Sequence, residues 1–174
     1  MDELPDPVQY AIPAFIILIL IEMVIARRDD PSRYEPKDTL ISLLLGTGST
    51  VAGALTGSFV VGLSVWLSQF GLFEIGYVWW AWILVFLLDD LAYYVFHRMA
   101  HRVRWFWASH VIHHSSQHYN LSTALRQTWT GFVSLSFAYS LPIILIGFPV
   151  EMLHFASAVN LVYQFWIQTE TIDR

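Results

Sequence analysis

Cysteine is absent from this 174-residue chain. Its absence excludes disulfide bonds, iron–sulfur clusters, thiolate-ligated haem and cysteine nucleophiles, so any metal here depends on imidazole, carboxylate or amide ligands. Charge is also scarce, because charged residues make up 13% of the chain, against about 25% in ordinary soluble domains. The net charge of -5 offers no basic surface, and we expect no nucleic-acid partner.

Hydrophobic residues make up 56% of the chain, with a mean hydropathy of +0.51. They form long runs over residues 8–26, 40–70, 77–96, 132–148 and 153–167. The first and third runs can each cross a hydrocarbon core of about 30 Å as a helix. The second is expected to span once and then bend, with Gly53 and Gly57 spaced for close helix packing. The sequence therefore predicts one all-α domain over residues 1–174, a polytopic membrane helical bundle of about four to five spans.

Basic residues are missing from one side of this predicted layout. All nine lysines and arginines lie in the loop after the first run, in the histidine-rich segment after the third run, or at the extreme C-terminus. With five spans, the last two forming a helical hairpin, these regions face the same side, which the positive-inside rule assigns to the cytoplasm. We therefore predict a multi-pass integral membrane protein, of the bacterial inner membrane or the endoplasmic reticulum, with its histidine-rich segment in the cytosol.

Six of the seven histidines lie between positions 97 and 118. His97 and His101 are four residues apart, so on a helix they share one face at the membrane boundary. His110, His113 and His114 repeat this spacing. Surface histidines beside anionic headgroups are the alternative, but five imidazoles held together repel one another whenever they are protonated. A metal that takes them as neutral ligands removes that cost, so the spacing indicates a metal site.

The ligand type leaves the identity of the metal open. The first pair lies in HRMAH, where Arg98 replaces the general-base glutamate of an HExxH zinc protease. Zinc, copper, iron and nickel all accept imidazole. A metal or proton transporter with a relay through His97, His101 and Asp90 is a further alternative. Polar groups along several spans or an internal repeat would be expected of a transporter, and the sequence has neither.

Two carboxylates precede the histidines on the third run. Asp90 lies one to two turns before His97 on the same helical face, where we expect it to accept a hydrogen bond from a ligand imidazole and to fix its tautomer. Asp89 points to another face of the helix, and a polar contact between helices is expected there. An intramembrane carboxylate usually has a function, so both predictions can be tested against the fold.

Three stretches together resemble the fatty acid hydroxylase and sterol desaturase superfamily. They are DLAYYVFHRMAH at 90–101, WASHVIHHSS at 107–116 and YNLSTALRQ at 119–127, within a histidine-box core at 89–127. The resemblance is greatest to sterol-desaturase-like and alkylglycerol-monooxygenase-like members and continues more weakly over residues 160–170. It implies a helical membrane fold with a cytosolic cap and a di-iron centre bound by eight or more histidines.

The resemblance also implies a function. It is oxygen-dependent hydroxylation or desaturation of a fatty acyl, sterol or alkylglycerol lipid, with electrons from a cytosolic or membrane donor. His97 and His101 match the first histidine box of the family, and His110, His113 and His114 match the second. His118 matches no ligand position and is expected to be a loop residue.

Two departures from the family pattern limit what the chain is expected to do. Gln168 stands where similar members have a histidine ligand, and it joins Asp90 and Asn120 as an expected second layer around the ligands. The final HHxxHH-type box would lie beyond Arg174, so we expect a C-terminally incomplete domain. Five histidines fill one iron at most, so we expect either a fragment or a half that pairs with a complementary chain or a second copy. An inactive or partial member that binds one metal or lipid is the alternative.

Overall fold

The computed structural model describes residues 4–171, all of whose regular structure is helical. Six α-helices are α1 (Pro7–Asp29), α2 (Pro36–Ser68), α3 (Trp79–Ala100), α4 (Arg104–His110), α5 (Leu141–Ile146) and α6 (Val150–Trp166). Short 3-10 helices lie at Pro31–Arg33, Thr123–Leu125 and Ser136–Tyr139. The predicted all-α class and helical membrane bundle are confirmed.

Local sequence explains where the first two helices begin. Asp6 caps α1, since its side chain accepts a hydrogen bond from the Val8 N–H at 2.9 Å, and Pro7 follows at the first helical position. Glu35 caps α2 in the same way, accepting the Asp38 N–H at 2.6 Å, with Pro36 at the first position. A carboxylate cap followed by proline satisfies a free N–H and presets the helical φ angle.

Helices α1, α3 and α6 run in one direction, and α2 runs against them. At the start of α3, the Tyr77 hydroxyl donates to Glu151 at the start of α6 over 3.0 Å. Farther along, Phe15 of α1 stacks on Phe165 of α6 with ring centroids 4.0 Å apart. The far end of α6 therefore lies beside the ends of α1 and α3. We call this the histidine end of the bundle, because the clustered histidines lie there.

Three helices are long and apolar enough to cross a membrane, judged by length and composition over residues 4–171. Helix α6 is shorter, at 17 residues, and packs along α3 with Ala81, Val85, Met152, Leu153 and Ala156 in a fully buried core. Most large apolar side chains of α1 and α2 are exposed on the outside of the bundle. This distribution suits a protein whose outer surface meets lipid tails.

The second apolar run differs from the expectation of a span followed by a bend. Residues Pro36–Ser68 form one continuous α-helix of 33 residues, which is about 50 Å long at the usual helical rise. Gly53 and Gly57 do not form a close helix contact within residues 4–171, since a methyl group at either position would meet nothing within 4 Å. The close approaches are instead at Gly46 and Gly48, against Leu125 and Trp129.

The fourth apolar run was expected to be a membrane helix over residues 132–148, but in the structure it is not one continuous helix. Leu135 has a left-handed φ of 55°, which ends the preceding turn, and a regular helix begins only at Leu141. Gly147 ends α5 with a φ of 115° and lies against Phe73, where any side chain would collide with the Phe73 carbonyl. The segment nevertheless leads from the histidine end to the opposite end, as the fourth of five predicted crossings requires.

Candidate metal centre

Two helices meet at the histidine end and bring four imidazoles together. His97 lies in the last turn of α3, and His101 is the residue that ends it. A tight turn through Val103, whose N–H donates to the Met99 carbonyl at 2.8 Å, sends α4 back across the end of α3. His110 closes α4, and His114 follows one turn later.

One ring nitrogen from each of these four histidines lies within 4.8 Å of the corresponding nitrogen of every other one. The Nε2 atoms of His97 and His101 are 3.0 Å apart, and those of His110 and His114 are 3.1 Å apart. Two nitrogens that bind one ion at about 2.1 Å lie about 3.0 to 3.4 Å apart. The donor set, and the spacing within each of the two pairs, therefore fit a transition-metal ion such as iron or zinc.

Aromatic side chains fix the rings of this cluster. The Tyr93 hydroxyl lies 3.2 Å from Nδ1 of His97, one helical turn away on α3. The Trp107 ring is nearly parallel to His114, with centroids 5.9 Å apart. His101 and His114 remain exposed while His97 and His110 are half-buried. One side of the cluster is thus held by protein and the other is open to a ligand.

The surroundings of His110 and His114 favour the neutral form of both imidazoles. Burial, reinforced by the like charges of neighbouring histidines, lowers the pKa of His110 to about 3. Burial also lowers the pKa of His114, with further repulsion from His113 and His101. Neutral imidazole is the form that binds a metal. His110 and His114 can therefore bind an ion at neutral pH without first releasing protons.

His113 differs from the other predicted ligands, because it lies outside the group of four. Its ring centroid is 5.1 Å from that of His114 and 5.5 Å from that of His110. Its Nδ1 lies 3.2 Å from the Arg126 carbonyl oxygen. A carbonyl can only accept, so Nδ1 carries the proton and Nε2 keeps a free lone pair.

The expected second layer does not contact the cluster. Asp90 is exposed on α3, and within residues 4–171 it donates or accepts no hydrogen bond with a histidine; Tyr93 occupies the place beside His97 instead. Asn120 is 1% exposed and donates to the Arg33 carbonyl at 2.7 Å. The Gln168 side chain likewise makes no hydrogen bond to a histidine among the described residues. Helical spacing predicts only that Asp90 and His97 lie on the same face of α3, and two side chains on one face need not be in contact.

Two other expectations from the sequence are confirmed. His118 lies in the loop after His114, outside the cluster, and its N–H donates to Ser116 Oγ at 3.0 Å. Asp89 makes the expected contact between helices, since it accepts Ser157 Oγ at 2.5 Å and Asn160 Nδ2 at 2.6 Å from α6. The Asp89 contact holds α3 and α6 in register below the histidines.

A buried carboxylate that we did not assign to the site ties the histidine end together. Glu22 of α1 is 3% exposed and accepts the Leu121 N–H at 2.7 Å and the Thr171 hydroxyl at 2.9 Å. Tyr34 and Thr169 also donate to it. Four donors match the four lone-pair sites of a carboxylate. The only signal for it in the sequence is a carboxylate inside an apolar run.

Comparison with known proteins gives the family. The fatty acid hydroxylase family matches residues 82–173, which include every histidine of the cluster. The chain belongs to the fatty acid hydroxylase family. The superfamily resemblance read from the histidine boxes is thereby confirmed. No solved structure matches the chain.

Curated relatives extend the match to nearly the whole chain. It is 38% identical over 177 residues to an alkylglycerol monooxygenase of Danio rerio and 38% identical over 180 residues to one of Homo sapiens. An alkylglycerol monooxygenase of Xenopus tropicalis is 36% identical over 180 residues. Each alignment covers 99% of this chain. The chain spans 39% of the length of these relatives.

Proposed function

We propose that this chain carries part of the metal centre of a membrane-bound, iron-dependent oxygenase that hydroxylates an alkylglycerol lipid. The observation that carries the proposal is the convergence of four imidazoles at one end of membrane-length helices. Membership of the fatty acid hydroxylase family supports lipid oxidation. The names of the relatives favour the alkylglycerol class over fatty acyl and sterol lipids.

The number of nitrogens bears on the number of ions. Four clustered imidazoles, with His113 as a fifth, fill one iron and leave room for a substrate molecule such as oxygen. A di-iron centre needs about twice as many ligands as one ion does. We propose that these residues fill one position, and that a second ion would take further ligands from outside residues 4–171, on the same or a complementary chain.

The overall reaction is a mixed-function oxidation. One oxygen atom is inserted into a C–H bond of the alkyl chain, and the other leaves as water with two electrons and two protons from a donor. Iron, when bound, supplies the oxygen activation that organic side chains cannot provide. The protein residues hold, orient and shield the reacting groups.

The residues around the cluster suit these tasks. Tyr93 and Trp107 hold the rings of His97 and His114, so the ligand nitrogens are preorganised. The exposed apolar side chains of Leu91 and Val95 lie on α3 within two turns of His97. An alkyl chain can approach along this surface from the lipid, while the glycerol group stays at the membrane boundary. By the distribution of basic residues, we propose that this boundary faces the cytoplasm, where a reductant is accessible.

The second candidate is an inactive family member that binds a single metal. The cluster supports it because four ligands are enough for one ion but not for two. A transporter is less well supported, because Asp90 has no hydrogen bond to His97 within residues 4–171.

Metal analysis of the detergent-purified chain tests whether the cluster binds iron. After anaerobic loading with Fe(II), we expect about one iron per chain, with retention lost in His97→Ala and kept in His118→Ala. Zinc retained in place of iron would overturn the oxygenase proposal.

Turnover is tested in membranes that contain the chain, using a 1-alkylglycerol and a matched 1-acylglycerol. We expect oxygen-dependent loss of the alkylglycerol alone, abolished by His97→Ala. Iron retention without any turnover, in the presence of a reductant and of the complementary part of a relative, would favour the inactive member.

A further inference from the structure

The first turn of α2 is hydrogen-bonded to the loop that follows the second group of histidines. Arg126 is 3% exposed, and its NH2 donates to Asp38 Oδ1 at 2.7 Å and to the Asp38 carbonyl at 3.1 Å. Its Nε lies 3.3 Å from Ser42 Oγ. A guanidinium so fully hydrogen-bonded cannot move without breaking several bonds.

The same ion pair holds the residues directly after His114. Arg126 NH1 donates to Ser115 Oγ at 2.8 Å, and Ser116 Oγ donates to Asp38 Oδ2 at 2.7 Å. Both oxygens of the Asp38 carboxylate are therefore used, one by Arg126 and one by Ser116. The loop carrying His113 and His114 is anchored to α2 through charge-assisted hydrogen bonds.

The backbone of Arg126 completes the link to an imidazole. Its carbonyl oxygen accepts Nδ1–H of His113 at 3.2 Å, so the position of that oxygen sets both the tautomer and the plane of the ring. Metal-binding histidines commonly donate their second ring N–H to a carbonyl or carboxylate in this manner. His113 therefore makes the hydrogen bond that is typical of a ligand, although it stands outside the group of four.

We propose that Asp38 and Arg126 are positioning residues, which act through the Arg126 carbonyl to present Nε2 of His113 as a fifth ligand of the metal centre. The inference rests on the proposed function insofar as it needs a metal at the cluster. Asp38 lies 75 positions before His113 in the chain, so its effect on metal affinity passes through the hydrogen-bonded chain from Asp38 to Arg126 to His113.

A purely structural role for the ion pair predicts a different pattern. If Asp38 only stabilises the fold, its substitution weakens metal binding to the same degree whether or not His113 is present. If it positions His113, its effect disappears once the imidazole is gone, because coupled residues are not additive. The interaction between the two substitutions is thus the deciding quantity.

The experiment measures Co(II) affinity of the full chain in nanodiscs, for the wild type, Asp38→Asn, His113→Ala and the double variant. We expect Asp38→Asn to lose about 10- to 100-fold in affinity, the usual effect of an outer-sphere partner. In the His113→Ala background the same change should cost less than about twofold. Asp38→Glu, which keeps the carboxylate, should recover most of the affinity, and the Co(II) absorption spectrum should report the recovered ligand.

Equal losses in both backgrounds would overturn the proposal, as would an unchanged affinity in Asp38→Asn. Should Asp38→Asn fail to fold, Ser116→Ala serves instead, since it removes one hydrogen bond from the carboxylate and leaves the ion pair intact. It is expected to give a smaller loss, again only when His113 is present.

A metal-free measurement separates this inference from the proposed function. Nitrogen-15 NMR of the histidine rings should find His113 as the Nδ1–H tautomer in the wild type and as a mixture of tautomers in Asp38→Asn. A wild type that binds no Co(II) would overturn the proposed metal centre while leaving this orientation standing. A His113 tautomer indifferent to Asp38 would overturn the orientation alone.

Discussion

The histidine cluster and the polar anchors lie at the same end of the bundle and are built in opposite ways. In the cluster, His97, His101, His110 and His114 face mainly one another, and two of the four are exposed. In the anchors, Glu22 and Arg126 are each 3% exposed, and their polar atoms meet partners from distant segments.

This contrast distinguishes polar groups that stabilise the fold from polar groups that can bind a ligand. A buried polar group that is fully hydrogen-bonded stabilises one arrangement and has no capacity left for a ligand. Ring nitrogens that meet only other ring nitrogens keep lone pairs available for an ion. The anchors therefore fix the segments from which the cluster is built, and the cluster remains available for binding.

Glu22→Ala is expected to give the largest effect, on stability. It leaves the buried Leu121 N–H and the Tyr34 hydroxyl without an acceptor, which should cost about 3 kcal/mol or more in the free energy of unfolding. Denaturant unfolding in detergent measures it. Asp90→Ala, on the exposed face of α3, should cost less than about 0.5 kcal/mol. Similar losses of unfolding free energy in both variants would show that the buried and the exposed carboxylate do not differ in their contribution to stability.

His110→Ala is expected to act on binding instead of stability. Losing one of four clustered ligands should weaken Co(II) or Fe(II) binding by about 100-fold, or about 2.7 kcal/mol. The metal-free protein should unfold close to the wild-type midpoint, since the ring of His110 is hydrogen-bonded to another histidine of the cluster. His118→Ala, in the loop, should change neither quantity, whereas His113→Ala should weaken metal binding by about 10-fold or more. Equal losses for His113 and His118 would mean that the ligand assignment is wrong.

Two glycines of α2 give a matched pair. A methyl group at Gly48 would lie 2.0 Å from the Trp129 ring, so Gly48→Ala should displace the loop and destabilise the fold by about 1 to 3 kcal/mol. Gly53→Ala meets nothing within 4 Å and should be neutral or stabilise the helix by up to about 1 kcal/mol. Unfolding curves of the two variants measure the difference, which a stabilising Gly48→Ala would contradict.

A smaller effect is expected from pH on the metal-free protein. The pKa of His110 is lowered by burial from the ordinary 6.5 to about 3, so the folded state disfavours the proton. The stability contributed by neutral His110 is fully present above pH 6.5 and is lost as the pH falls from 6.5 towards 3. Unfolding midpoints at neutral and mildly acidic pH measure this. His110→Asn should flatten the dependence, and an unchanged slope would show that other groups cause it.

The sequence predicted those parts of the site that depend on local spacing. His97 and His101 lie together because residues four apart share a helical face. Asp89 and Asp90, adjacent in sequence, show the limit of that reasoning. Helical geometry gives each a direction, but only the packing of α6 decided that Asp89 meets Ser157 and Asn160 while Asp90 stays exposed.

The fourth apolar run shows the same limit for secondary structure. Its composition fits a membrane helix, yet Leu135 adopts a left-handed conformation and the helix forms only from Leu141. Apolar content specifies that a segment is buried or meets lipid. It does not specify one continuous helix where neighbouring helices can enclose the irregular backbone.

By itself, the amino-acid sequence determined the helical class, the membrane-length helices and the pairing of imidazoles within each histidine box. These follow from composition and from hydrogen bonding and spacing over a few residues. Tertiary structure decided that the two pairs meet within 4.8 Å, and that Glu22 binds Thr171 and Asp38 binds Arg126. Such contacts join residues far apart in the chain, and they form only where packing of the whole bundle brings the segments together.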